Sequence, residues 1–251
     1  MKRVALITGA SAGIGYATAK KLARLGYHVL AVARREDRLQ SLKAEIEKTE
    51  IGKCDYFVCD LRETQELKDL LESEIVKKTS VLVNNAGLAR GAGSLESLED
   101  DDIREVLETN LNSLIFLTKY MIPILKEQPQ SDIVNLGSIA GRWTYPGGNI
   151  YNATKFGVRA LSEGLRLDLL GTTVRVSNVE PGMVETEFSQ VRFRSAEKAK
   201  SVYSGMNPLT PDDIAETIAW ILERPRHVSI QELVIYPTDQ ASPQNIVRRN
   251  S

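Results

Sequence analysis

Cysteine, histidine and long apolar runs are all scarce in this 251-residue chain. Its only two cysteines, Cys54 and Cys59, stand in a C-x4-C spacing with no histidine or second pair nearby. No zinc site or other metal is therefore expected, and both thiols read as reduced packing residues on or beside one strand. His28 heads an expected strand and His227 falls in a loop; neither has the partners of a base or a ligand. No stretch reaches the roughly 18 apolar residues that a membrane span needs. Charge of one sign is also missing: 32 Lys+Arg against 33 Asp+Glu leave a formal net charge of −1. That excludes the basic face of a nucleic-acid binder. A P-loop's G-K-[ST] ending is absent, which excludes that class of nucleotide hydrolase. The apolar opening runs straight into a glycine motif, so it reads as a strand and not as a signal core, and a cytoplasmic location is expected.

What remains is an ordinary globular composition, 42% hydrophobic and 26% charged, long enough for one α/β domain over 1–251. Strands are expected near 3–8, 28–33, 54–58, 80–84, 131–136, 173–179 and 232–236. Helices are expected near 14–25, 36–48, 63–76, 100–126, 150–170, 195–204 and 211–223. This alternation calls for a parallel sheet with helices on both faces. The acidic run Glu96 to Asp102 precedes a helix and suits its positive end. Residues 187–210 are expected to form a lid over a substrate pocket, and 237–251 an irregular tail.

The first strand leads into Gly9-Ala-Ser-Ala-Gly-Ile-Gly15 and then a helix stopped by Gly26. Strand, glycine loop, helix is the setting in which such a motif binds a dinucleotide. Glycine permits the tight turn and the close approach to a pyrophosphate, and the helix aims unpaired N–H groups at the anion. About 20 residues on, such folds read the ribose 2′ position. Here the second strand ends in Arg34-Arg35. Two guanidinium groups bind a 2′-phosphate by charge-assisted hydrogen bonds, and Ser11 can add a hydroxyl. NADP(H) is expected over NAD(H).

Tyr151 and Lys155 stand four residues apart, on one face of an expected helix. A neighbouring ammonium is expected to lower the tyrosine pKa and make the phenol a usable proton donor and acceptor. The same helix holds Gly157 and Gly164, and glycine inside a helix points to close packing of another backbone.

With Thr8-Gly9, Gly13 and Gly15, Asn84-Asn-Ala-Gly87, Ser138, Tyr151 and Lys155 all in order, the chain resembles the short-chain dehydrogenase/reductase family from about Arg3 to Ile235. The resemblance implies a Rossmann-type doubly wound parallel sheet of seven strands in the order 3-2-1-4-5-6-7. It implies a catalytic set of Asn110, Ser138, Tyr151 and Lys155. Tyr151 would be the general acid in reduction and the base in oxidation. Lys155 would tune the phenol and hold the nicotinamide ribose, Ser138 would hydrogen-bond the substrate oxygen, and Asn110 would connect Lys155 to solvent through water. Cofactor contacts are implied at Gly9, Ser11, Gly13, Ile14, Gly15, Arg34, Arg35, Asp60, Leu61, Asn85, Ala86, Gly87, Tyr151, Lys155, Pro181, Gly182, Val184 and Thr186. Family members commonly pair the Tyr151 helix and the long helix before it across a two-fold axis, so a homotetramer is expected, with a dimer as the alternative.

Within the family the chain is similar to NADP-dependent 3-hydroxy acid dehydrogenases, some of which act on serine or allo-threonine. The carrying stretches are Gly137 to Gly148 and Val179 to Phe193. The small hydroxy or keto substrate implied there includes 3-hydroxypropionate. A carboxylate substrate needs a cation. Arg192, Arg194 and Arg142 qualify, with Arg192 favoured; Arg90 borders the same region. Substrate contact is expected from Ser138, Tyr151 and Arg192. Reduction of other ketones, sugars or 3-oxoacyl carriers is the alternative, and a non-catalytic NADPH sensor is another.

Overall fold

The computed structural model describes residues 3–49 and 51–249. Lys2, the first residue of the expected apolar opening, and the last two residues of the expected tail lie outside the described residues. Seven short apolar runs form strands: Val4–Thr8 (β1), His28–Ala33 (β2), Lys53–Val58 (β3), Thr79–Asn84 (β4), Ser131–Leu136 (β5), Val174–Pro181 (β6) and Glu232–Ile235 (β7). All pair in parallel, in the order β3-β2-β1-β4-β5-β6-β7, as the family resemblance implies. The central strands β1, β4, β5 and β6 are buried along their whole length, because a parallel sheet is covered on both faces.

Side-chain alternation divides the interior into two cores. Ala5, Ile7, Val29, Ala31, Val81, Val83 and Val134 face one layer, formed by Gly13–Arg24 (α1), Glu36–Glu47 (α2) and a later helix, Pro211–Leu222. Leu6, Leu30, Val32, Leu82 and Ile133 face the other, with residues of Thr64–Glu72 (α3), Ser113–Glu127 (α5) and Asn149–Asp168 (α6), while Asp100–Leu107 (α4) packs against α6. The remaining helices are Phe188–Phe193 (α7), Ala196–Tyr203 (α8) and Pro211–Leu222 (α9). α9 starts on a capping box: Thr210 and Asp213 satisfy each other's backbone N–H groups and Pro211 opens the first turn.

Three expectations are corrected. The expected helix over 63–76 stops at Glu72, and Val76–Lys78 forms a separate 3-10 turn. The single helix expected over 100–126 is interrupted by a π-helical stretch, Glu108–Asn112. That stretch carries buried Asn110, which lies against Leu88 in the loop after β4, and such insertions recur at functional sites. Gly157 makes room for the Leu111 side chain, 3.1 Å from where a Cβ would stand, and not for a backbone; Gly164 faces open space. The tail after Pro237 has no long element, but it is anchored. The Arg249 N–H donates to Gly205 O (2.7 Å) and its guanidinium clasps buried Asp239 (2.7 Å).

Candidate active site

The C-terminal ends of β1, β2, β4, β5 and β6 open into one cleft of about 570 Å3, at the edge where open α/β sheets bind ligands. At its floor, Thr8 knits two strand ends together. Its Oγ1 accepts from the Asn85 and Ala86 N–H groups (2.9 and 3.0 Å), while Asn85 Nδ2 donates to Thr8 O (2.8 Å). The glycines there are dictated by space. A Cβ on Gly15 would lie 2.4 Å from Asn85 Nδ2 and 2.5 Å from Gly9 O, and Gly9 holds φ +65°. α1 begins from extended Ala12 with no side-chain cap and no acidic residue in its first turn. Its first N–H groups are thus available to an anion.

At one end of the cleft stand Ser11, Arg34 and Arg35. Arg35 Nε and Nη2 reach Ser11 Oγ at 3.2 and 3.1 Å, so a hydroxyl and a fork of N–H donors converge on one spot. Asp60 lies nearby with Leu61. Burial works against its anion, but hydrogen bonds from Arg62 (2.9 and 2.6 Å) hold the carboxyl below its usual range. Gly13, Ile14, Gly87, Pro181, Gly182, Val184 and Thr186 line the path from there to the far end. This set of glycines, uncapped helix start and paired arginines fits a phosphorylated dinucleotide.

Ser138, Tyr151 and Lys155 line the far end together. Ser138 caps the turn Ile139–Gly141 by accepting from Ala140 N–H (3.1 Å). Asn152 Nδ2 locks that turn to α6 by donating to Ala140 O (2.8 Å) and Trp143 O (2.9 Å). Gly141 is the hinge point of this packing: a Cβ there would meet Lys155 O at 2.6 Å. Lys155 Nζ donates to Leu136 O (2.7 Å) and lies 5.7 Å from the centre of the Tyr151 ring. Asn110 sits beside them; its Oδ1 accepts from Leu88 N–H and its Nδ2 donates to Leu88 O, both at 2.8 Å, with Thr154 Oγ1 at 3.2 Å. Its side chain thus ties the loop after β4 to α6 and leaves one lone pair of Oδ1 open. Below, Asn84 donates to Thr118 and Asn135, and Asn135 to Ser162, a buried polar chain that fixes the two strand ends.

The expectation that Lys155 draws the phenol down is not met. Burial raises the Tyr151 pKa well above the usual tyrosine value, Tyr145 adds to the rise, and the Ser138 hydroxyl and Arg192 charge pull against it. Burial likewise lowers Lys155 to about 8. Two desolvated groups each favour their neutral form.

Of the arginines considered for a carboxylate, the cleft keeps only Arg192. It donates from Nε to Gly91 O (2.9 Å), from Nη1 to Tyr145 Oη (3.1 Å) and from Nη2 to Gly147 O (3.0 Å). Three of its five N–H groups are engaged, leaving two. Arg194 ends α7 in the left-handed region (φ 48°) and binds Asp102 at 2.6 Å. Arg142 turns behind the Ser138 loop to Glu180 and Glu232. Glu180 is fully buried, and its burial outweighs Arg142 in raising its pKa. Arg90 is held by Glu105 at 2.6 Å. The sequence reading gave no individual role to Tyr145, Phe188, Tyr203, Gln240 or Ile246, all on the cleft wall. Phe188 packs its ring 5.4 Å from that of Tyr151. Gln240 reaches in from the tail to accept from Met183 N–H (2.8 Å). Only the aromatic residues near Tyr151 and after Thr186 carried a signal, as rings in the stretches that flank the site.

The short chain dehydrogenase family model matches residues 3–197. The NADP-dependent 3-hydroxy acid dehydrogenase YdfG of Escherichia coli K12 is 39% identical over 243 residues, covering 95% of this chain and 96% of that one. The serine 3-dehydrogenase of Agrobacterium fabrum is 38% identical over 242 residues, covering 96% of each. A closed form of serine dehydrogenase complexed with NADP+ superposes with a TM-score of 0.90 at 38% identity, over 98% of this chain and all of that one. With a matching model over most of its length and relatives this similar end to end, the chain belongs to the short-chain dehydrogenase family.

Proposed function

We propose that the protein is an NADP(H)-dependent oxidoreductase that interconverts a small 3-hydroxy acid, such as serine, allo-threonine or 3-hydroxypropionate, with its carbonyl form. The observation that carries this reading is one cleft with Arg35 and Ser11 at one end and Ser138, Tyr151 and Lys155 at the other. The activities for which the relatives are named agree with it. When bound, the nicotinamide gives or takes the hydride. Tyr151 donates the proton to the carbonyl oxygen in reduction and takes it back in oxidation. Ser138 holds that oxygen and stabilises its developing charge. Lys155 anchors the nicotinamide ribose and sets a positive charge beside the phenol. Asn110 positions the loop after β4, and the second lone pair of its Oδ1 would take part in a water path that connects Lys155 to solvent. Gly9, Ser11, Gly13, Ile14, Gly15, Asp60, Leu61, Asn85, Ala86, Gly87, Pro181, Gly182, Val184 and Thr186 line the cofactor's course. Arg192 meets the substrate carboxylate from the lid, residues 187–210.

A panel of 3-hydroxy acids and plain secondary alcohols, assayed with NADP and NAD, tests both ends. Serine and 3-hydroxy acids are expected to turn over with NADP and to outpace the plain alcohols. Arg34→Asp with Arg35→Ala is expected to lose about 100-fold or more in efficiency with NADP, the scale of two charge-assisted hydrogen bonds. Faster plain alcohols would remove the carboxylate role of Arg192, and an unchanged cofactor preference would remove the phosphate role of the arginine pair.

We also propose a homotetramer built on α5 and α6. Phe116 and Tyr120 on α5, and Phe156 and Leu167 on α6, are exposed, and Leu170 just after α6 is 84% exposed. Open space at Gly164 on α6 leaves room for a partner. Apolar surface at this density marks an interface. Light scattering is expected to give four times the mass of one chain; a monomer would end the proposal. Among the described residues no helix is long and apolar enough to cross a membrane. The free buried thiols of Cys54 and Cys59 and the proposed cofactor support a cytoplasmic site of action.

A further inference from the structure

Arg35 is shared between two oxygens of different chemistry. Its Nε and Nη2 face Ser11 Oγ, while Nη1 donates to Glu187 Oε2 at 2.9 Å. Glu187 follows Thr186 directly, precedes α7 and lines the same cleft as Ser11 and Arg35. Its second oxygen lies 3.9 Å from Arg38 Nη2 on α2. Beside it opens a groove of about 520 Å3, bordered by Arg38, Gln190 and Arg194. A carboxylate therefore sits on the guanidinium that would take a phosphate, with another arginine and free space within reach.

We propose that Glu187 is a specificity-determining residue: it occupies Arg35 until a 2′-phosphate displaces it toward Arg38, and so limits the preference for NADP(H) over NAD(H). This rests on the reading of Arg35 and Ser11 as the phosphate subsite. Both partners of the Glu187–Arg35 pair are more than two-fifths exposed, and such pairs are weak. A phosphate monoester carries close to two negative charges at neutral pH and binds arginine in a bidentate fork, so it displaces a single carboxylate. The carboxylate that remains nearby still repels it. That repulsion falls on the phosphorylated cofactor alone, because NAD(H) brings no charge to this spot.

The test is fluorescence titration of the full chain with NADPH and with NADH, for the wild type and Glu187→Gln, with Glu187→Ala as a second variant. Loss of the negative charge is expected to tighten NADPH binding about 2- to 5-fold, the range of one solvent-exposed charge interaction. NADH binding is expected to stay within about twofold. The gain is expected to shrink in about 0.5 M salt, where exposed charges are screened. NADPH affinity unchanged or weakened in both variants, or equal shifts for both cofactors, would overturn the proposal. A wild type that binds the two cofactors alike would instead bring down the phosphate reading beneath it.

Discussion

Tyr151→Phe is expected to lower kcat/KM for carbonyl reduction by about 10²- to 10⁴-fold, the range for loss of a positioned general acid, while NADPH binding by fluorescence stays within about twofold. The substitution removes one oxygen and keeps the ring, so the contact with Phe188 at 5.4 Å is retained and the cleft wall holds its shape. Ser138 remains, but an unperturbed serine is a far weaker acid than a phenol. Burial, reinforced by Tyr145, raises the Tyr151 pKa, against the smaller opposing effects of Ser138 and Arg192. The phenol therefore keeps its proton at neutral pH, which serves reduction. Oxidation needs the phenolate, so its rate in the wild type is expected to climb with pH, toward tenfold per unit while the phenol stays below its pKa. That climb is expected to vanish in Tyr151→Phe. A variant that keeps more than about a tenth of wild-type turnover would remove Tyr151 from the proton path.

Much of this site was legible because its parts are local. The glycine loop lies between β1 and α1, Asn84 to Gly87 end β4, and Tyr151 and Lys155 share one turn of α6, so short stretches of sequence carried the geometry. The sheet was legible for a similar reason: strands buried on both faces read as unbroken apolar runs. Features set by distant residues were not. Arg142 looked like a free cation in its loop, and only the fold brings Glu180 and Glu232 to it. The π turn at Asn110 has no periodic signature, because a single added residue leaves the apolar pattern of the flanking helices intact. α7 spans only Phe188–Phe193, too short for a periodicity to declare itself. The sign of the Tyr151 shift was misread because adjacency to Lys155 is written in the sequence, whereas desolvation depends on everything packed around both groups.

Lys155→Met is expected to lose turnover while making the cofactor-free protein more stable, and the two effects have one origin. Lys155 is buried, its one hydrogen bond among the described residues runs to Leu136 O at 2.7 Å, and burial lowers its pKa from 10.5 to about 8. For a base whose folded value lies below its unfolded one, the folded state is penalised wherever the group is charged in both states. Below pH 8 that penalty is full. It shrinks between about 8 and 10.5 and is gone above that. At about 1.4 kcal/mol per unit the penalty is about 3.5 kcal/mol. Methionine fills a similar volume without the charge but leaves Leu136 O unpaired, at a cost of about 1 kcal/mol. A net gain of about 2.5 kcal/mol at pH 7 follows, worth several degrees of Tm in a domain of this size. Chemical denaturation at pH 7 and at pH 10.5 measures it. The variant should lead at the lower pH and lose that lead at the higher one. A variant less stable than the wild type at pH 7, or a lead that widens with pH, would mean that the ammonium is stabilised in the fold by partners other than Leu136. Kinetically the loss is expected to reach about 10²-fold or more, because the same charge that burial disfavours is the one placed beside the reacting phenol. The cleft thus keeps a lysine that the fold alone would replace, which is the trade of stability for activity expected where a charge is buried for use.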